Sequence, residues 1–307
     1  MSIQVPSFCK INLWLEVAGR REDGYHQIRT VLQSLDLQDT IELEERSEPG
    51  IDLEVRGRSV SSGADNLVVR AAALYIRRVG RPVGLNLRLD KRIPIGAGLG
   101  GGSGNAAATL AGVNRLAGDA LGRAELASLG ALIGSDVPFF LWGGSALALG
   151  RGEQIRPWSD LPVDETVLLV WPGFEVSTAR IYEALGAPKW NAQRHLTSED
   201  PGTTIREFFS ARDLGRWGNL RNDLESAAVR LHPKLGVLKE FLLECGCREV
   251  MLAGSGSTVF GMGDPATLQG AAERCGAAGL RDTFLCRPLS RSEYCRRWAA
   301  AGIRLRD

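Results

Sequence analysis

The chain has 307 residues, with 37 lysines and arginines against 36 aspartates and glutamates and a formal net charge of +1. That balance excludes a strongly basic nucleic-acid binder and an acidic solvating tail as the main theme. Hydrophobic content of 44% with 24% charged residues excludes pervasive disorder, and the length allows two domains.

In chain order, residues 9–18 alternate as a strand does, and Gly19 to Gly24 form a polar turn. Thr40 to Glu44 and Ile51 to Val55 alternate cleanly, the pattern of half-buried antiparallel strands. Asn66 to Val79 reads as a helix with Leu67, Ala71, Leu74 and Tyr75 on one face. Residues 85–89 alternate again and run into a glycine loop, after which helices are predicted over 103–116 and 123–133. Arg156 to Glu165, polar and broken by proline, reads as an inter-domain connection. Beyond it come a buried strand at 167–171, a polar loop at 189–204 and helices at 212–230 and 233–244. Strands at 249–252 and 258–261 flank a second glycine loop. A helix near 265–275, a strand near 281–287 and a tail with Tyr294, Trp298 and Ile303 placed to pack as a helix complete the chain. Strands first, with helices interspersed and not strictly alternating, predict an α+β fold in two lobes.

No apolar run reaches the ~18 residues of a membrane span, and Met1 to Phe8 lack the layout of a secretion signal. A cytoplasmic protein with no membrane or nucleic-acid partner is expected. The six cysteines form no C-x-x-C pair, and only three histidines are present. Free thiols are therefore expected, and no histidine-built zinc site.

Glycine is the loudest signal. It makes up 37 of the 307 residues, and it concentrates in Pro94-Ile95-Gly96-Ala97-Gly98-Leu99-Gly100-Gly101-Gly102-Ser103-Gly104, where a helix begins. Such a loop lets backbone N–H groups converge on an anion, and the helix N-terminus adds partial positive charge there. A polyphosphate is the natural guest, with Ser103 suited to cap the helix. A Walker A loop is excluded, since no lysine lies between Lys91 and Lys189. Gly96, Gly98 and Gly101 match the dinucleotide fingerprint formally. However, the preceding strand alternates, whereas a Rossmann strand would be continuously apolar.

Three segments together resemble the GHMP kinases: Cys9-Lys10-Ile11-Asn12-Leu13, the loop from Pro94 to Ser103, and Gly254-Ser255-Gly256-Ser257-Thr258. Asp23-Gly24-Tyr25-His26, Gly134-Ser135-Asp136-Val137-Pro138-Phe139 and Asn222-Asp223-Leu224-Glu225 narrow the resemblance to a branch acting on a cytidine diphosphate sugar alcohol. The resemblance implies an N-terminal lobe like ribosomal protein S5 domain 2, spanning 1–159 and binding ATP, and a ferredoxin-like lobe spanning 160–307. It implies ATP-dependent phosphorylation of the substrate's 2-hydroxyl, in the non-mevalonate route to isoprenoid precursors. A homoserine or mevalonate kinase-like activity is the alternative.

Asp136 precedes an apolar run, where a carboxylate is expensive unless paired or used. A turn or cap aspartate is the plain alternative, and the resemblance makes it the catalytic base with Lys10 as charge partner. Asn12 shares a strand face with Lys10 and is expected to hold substrate. Tyr25 and His26 on their own read as an exposed turn tyrosine beside an unrelated histidine; the resemblance implies instead that they read a pyrimidine, with one face to stack on and one edge to hydrogen-bond. Tyr182 is implied to close the other face of the base, and Gly254 and Ser255 to lie near substrate. Asn66 is either a nucleotide contact or a helix cap. The family usually carries serine where this chain has Gly104, which withholds a hydroxyl from a phosphate or its metal. Mg²⁺ is expected with ATP; Ser103 is the first candidate ligand and the full set stays open. A monomer or weak homodimer is expected.

Overall fold

The computed structural model describes residues 2–80, 84–158, 165–191 and 220–306. Strands β1 (Ser2–Arg20) and β2 (His26–Arg46) form a long antiparallel pair at its centre. Both run far beyond their alternating stretches. Their middle residues are buried on both faces and so show no alternation. One half of β2 pairs with β4 (Gly84–Lys91), and the other half pairs with β5 (Ser145–Gly150), which continues to β6 (Gln154–Pro157).

Strand β3 (Gly50–Gly57) corrects the antiparallel expectation for 51–55, because it lies parallel to β4. The crossover that parallel pairing requires is α1 (Leu67–Val79). Asn66 caps this helix, accepting from the Val68 N–H at 2.9 Å.

Helix α2 (Gly101–Leu116) starts two residues earlier than predicted. Its cap is Gly100 at φ 69°, and Ser103, the predicted cap, lies within the first turn. The helix is made of small residues because it is clamped between α1 and the sheet. A Cβ on Gly112 would stand 2.6 Å from Leu43 Cδ1, so a larger side chain there would lift the helix from β2. Helices α3 (Arg123–Ile133) and α4 (Val137–Trp142) follow; the second is short, apolar and absent from the sequence reading.

The second sheet has the order β11-β7-β10-β9, antiparallel throughout, from β7 (Thr166–Trp171), β9 (Glu249–Leu252), β10 (Val259–Gly263) and β11 (Asp282–Cys286). The helices of this lobe are α5 (Thr178–Leu185), α6 (Glu225–Leu231), α7 (Lys234–Glu244) and α8 (Pro265–Ala277). Of the predicted helix 212–230, the described part begins only at Glu225, after a two-residue strand β8 (Arg221–Asn222) parallel to β1. Residues 192–219 and the predicted boundary between 159 and 160 lie outside the described residues.

Three apolar cores hold these layers. One, containing Phe8, Leu43 and Phe139, fills the N-terminal lobe. Another, with Leu168, Val170 and Leu238, fills the C-terminal lobe. The third joins the lobes, packing Ile11, Leu13 and Leu35 of the first sheet against Leu169, Met251 and Phe260 of the second. The final helix, α9 (Arg291–Ala300), returns to the N-terminal core, where the Trp298 indole N–H donates to Pro6 O at 2.9 Å.

Candidate active site

A cavity of about 1160 Å³ opens between the lobes, and the loop from Pro94 to Ser103 forms one wall. Gly96, Gly98 and Gly100 have φ of 59°, 76° and 69°, a region that side chains resist. A Cβ on Gly98 would stand 1.9 Å from Ala253 O, so the two glycine loops meet backbone to backbone. At the start of α2 the first-turn N–H groups lack helical partners, so with the helix dipole behind them they can receive an anion.

Two lysines lie beneath this cradle. A Cβ on Gly100 would stand 3.1 Å from Lys10 Cγ, and one on Gly101 would stand 2.9 Å from Lys91 Nζ. Lys91 is buried and pairs with buried Asp39 at 2.5 Å. Asp39 also accepts from the Arg92 and Ile93 N–H groups and from Asn105 Nδ2. Burial pushes the Lys91 ammonium below its ordinary pKa, with Asp39 opposing. Sequence reasoning missed this bracket, because its members are scattered over three segments. Gly104 does not line the cavity. A Cβ there would stand 2.8 Å from Phe8 O, so a side chain would point at β1 and not at a phosphate. The idea that Gly104 withholds a phosphate contact is corrected accordingly.

Asp136 stands at the start of α4 but makes no side-chain cap with its own helix. Its Oδ2 lies 3.5 Å from Lys10 Nζ, and its side chain is 36% exposed to the cavity. The ammonium is fixed from behind. Lys10 Nζ donates to Asn12 Oδ1 at 2.8 Å, Asn12 Nδ2 donates to Thr30 Oγ1 at 2.8 Å, and Thr30 Oγ1 donates to Trp14 O at 2.6 Å. Thr30 was invisible in the sequence, since a strand threonine carries no signal of its own. The arrangement places one acid and one cation beside an anion cradle, which suits transfer of a phosphoryl group to an alcohol.

Tyr25 and His26 line the same cavity as Asp136. Tyr25 is half exposed. Tyr182 reaches this corner from α5, but it stacks on His26, with ring centroids 4.5 Å apart and an interplanar angle of 25°. Burial, followed by the charge of Arg20, holds the His26 imidazole below its ordinary pKa. Burial pushes the Tyr182 phenol well above its own.

Gly254 sits at φ 57°, where a Cβ would stand 3.3 Å from both Asn12 Oδ1 and Lys10 Nζ. The hydroxyls of Ser255 and Thr178 are 2.8 Å apart. This loop is braced by Asn222, whose Nδ2 donates to Leu252 O and Gly254 O, and by Glu225, which accepts from the Leu252 N–H. Asp223 accepts from the Val17 N–H and ties the brace to β1. Asn66 both caps α1 and lines the cavity, so its two readings are compatible.

Two family models match the chain: GHMP kinases N terminal domain over residues 66–144 and GHMP kinases C terminal over 205–280. The fold is accordingly that of the GHMP class of small-molecule kinases. A 4-diphosphocytidyl-2-C-methyl-D-erythritol kinase of Moorella thermoacetica is 41% identical over 285 residues, covering 92% of this chain and 96% of the relative. One of Solibacter usitatus is 40% identical over 257 residues, covering 83% and 79%. A crystal structure of 4-(cytidine 5'-diphospho)-2C-methyl-D-erythritol kinase superposes with a TM-score of 0.77 at 33% identity, covering 93% of this chain and 99% of the other. A homoserine kinase from Cytophaga hutchinsonii shares the fold with a TM-score of 0.68 at 19% identity, covering 94% and 95%. The chain belongs to the 4-diphosphocytidyl-2-C-methyl-D-erythritol kinase family.

Proposed function

We propose that this chain transfers the γ-phosphoryl group of ATP to the 2-hydroxyl of 4-diphosphocytidyl-2-C-methyl-D-erythritol, a step of non-mevalonate isoprenoid precursor synthesis. The observation that carries the site assignment is the Lys10–Asp136 pair, 3.5 Å apart, opening onto the glycine cradle within one cavity.

The triphosphate lies along Gly96 to Ser103, with its charge met by the α2 N-terminus and by the lysines beneath. Asp136 orients the substrate hydroxyl and accepts its proton as the oxygen attacks phosphorus. Lys10, held by Asn12, neutralises charge gathering on the transferring oxygens. Tyr25 and His26 hold the cytosine, which fixes the hydroxyl at a set distance from the cradle. Tyr182, stacked on His26, borders the same corner of the cavity and closes it around the base.

Mg²⁺ would accompany the triphosphate. Among the described residues no cluster of three His, Cys, Asp or Glu side chains is present, which fits an ion carried mainly by phosphates and water. Ser103 and Asp136, which line the cavity, would hold the ion, and it would supply charge neutralisation there. No described helix is long and apolar enough to cross a membrane. We place the enzyme in the cytoplasm as a monomer or weak homodimer, without nucleic-acid partners.

Asp136→Asn is the direct test. Turnover should fall about 10²–10⁴-fold while ATP still binds. A rate within threefold of the natural protein overturns the assignment of the base. CDP should compete with substrate, and failure to compete would favour a kinase whose substrate carries no base.

A further inference from the structure

The Tyr25 ring is not free on its turn. The Arg151 guanidinium lies over it, 4.7 Å from the ring centroid. Arg151 sits in the tight turn between β5 and β6, flanked by Gly150 at φ 74° and Gly152 at φ 109°. The same guanidinium is fixed by a second contact, its Nη2 donating to Ala131 O at 2.6 Å in the last turn of α3. A cation is favoured at that helix C-terminus. The Arg151 N–H donates to Glu153 Oε2 at 2.8 Å, which secures the turn. Both Arg151 and Tyr25 line the cavity, and a Cβ on Gly152 would stand 4.0 Å from Asp136 Oδ1. The turn that backs the aromatic ring therefore also borders the catalytic acid.

We infer that Arg151 is a positioning residue for pyrimidine recognition: its guanidinium backs one face of Tyr25 and presents the other, immobilised, to the base. The inference rests on the reading of Tyr25 as the cytosine platform. A half-exposed tyrosine on a turn would otherwise lose side-chain freedom when the base arrives, and prior immobilisation removes that cost. Cation–π contact supplies the hold without consuming the hydroxyl or the open face. Because the same turn abuts Asp136, the platform is set at a fixed distance from the acid.

The test uses the full-length enzyme, with cytidine and CDP as calorimetric probes beside steady-state kinetics. Arg151→Met should weaken cytidine and CDP alike by about fivefold to tenfold and raise the substrate KM by the same factor. The ATP KM and kcat should stay within twofold, and Arg151→Lys should recover part of the loss. In a Tyr25→Ala background, Arg151→Met should add nothing. A loss confined to CDP would make Arg151 a direct phosphate contact and overturn the inference. So would an additive loss in the double variant, or a fall in kcat. If Tyr25→Ala itself leaves cytidine binding unchanged, the platform reading fails first and the inference falls with it. A thermal melt of each variant confirms that the fold is retained.

Discussion

His26 shows how burial sets a group proposed to read the substrate. With its pKa held below the usual 6.5, the imidazole is neutral near pH 7, and it then carries one donor and one acceptor nitrogen. Protonation leaves only donors. Substrate affinity measured without ATP should therefore be flat above pH 6.5 and weaken as pH falls through the lowered value, and His26→Gln should flatten the profile. An unchanged profile in that variant would place the titration elsewhere. The stability sign follows from the same shift. The unfolded chain takes up the proton first, so stability falls with pH between 6.5 and the lower folded value. At this scale the sequence was legible where a charge sits in an odd context. Asp136, set against an apolar run, stood out, whereas Lys10 was reached through the resemblance. Asp39 and Thr30 did not stand out, because their partners lie in distant segments and nothing local marks them.

At the scale of elements, the two glycine loops work as one joint. Gly98 is tightly placed twice over: its φ is 76°, and a Cβ would stand 1.9 Å from Ala253 O. Gly98→Ala should therefore destabilise by more than the ~1–2 kcal/mol of left-handed strain alone, and should weaken ATP binding as the cradle shifts. Gly118→Ala is the control, since Gly118 has φ 83° and a Cβ there would meet no atom within 4 Å. It should show the strain without loss of ATP binding. Equal effects from the two substitutions, in melts and in nucleotide titration, would show that loop docking carries no weight. Sequence reading found the cradle because glycine density is a local property. It placed the start of α2 late because it looked for a side-chain cap where Gly100 provides the turn. It took β3 as antiparallel because alternation reports which faces are buried and not the direction of the neighbour. The Asn222-Asp223-Leu224-Glu225 segment stands out in the sequence, but its task of tethering the second loop to β1 is a contact across some two hundred residues.

At the scale of the molecule, the two lobes are not independent bodies. Ile11 and Leu13 share a core with Leu169, Met251 and Phe260. The chain's last helix leaves the C-terminal sheet and packs Tyr294 and Trp298 into the N-terminal lobe. Tyr294 is buried, donates from its hydroxyl to Phe140 O at 2.6 Å, and lies so close to Gly143 that a Cβ there would stand 2.3 Å from its ring. Phe140 belongs to α4, the helix that Asp136 opens, so the chain's end supports the element that carries the acid. Long chains commonly unfold domain by domain, but here the seam and the returning helix couple the lobes. Tyr294→Ala should cost about 3–5 kcal/mol and Leu169→Ala about 2–5 kcal/mol, and each should lower a single shared melting transition detected by circular dichroism and by tryptophan fluorescence. Tyr294→Phe, which removes only the hydroxyl donated to Phe140 O, should cost about 1 kcal/mol and leave the ATP KM unchanged. If Tyr294→Ala instead produced an early transition confined to the N-terminal lobe, with the C-terminal sheet melting at its former temperature, the seam would be too weak to join them. The placement of Asp136 would then depend on its own lobe alone.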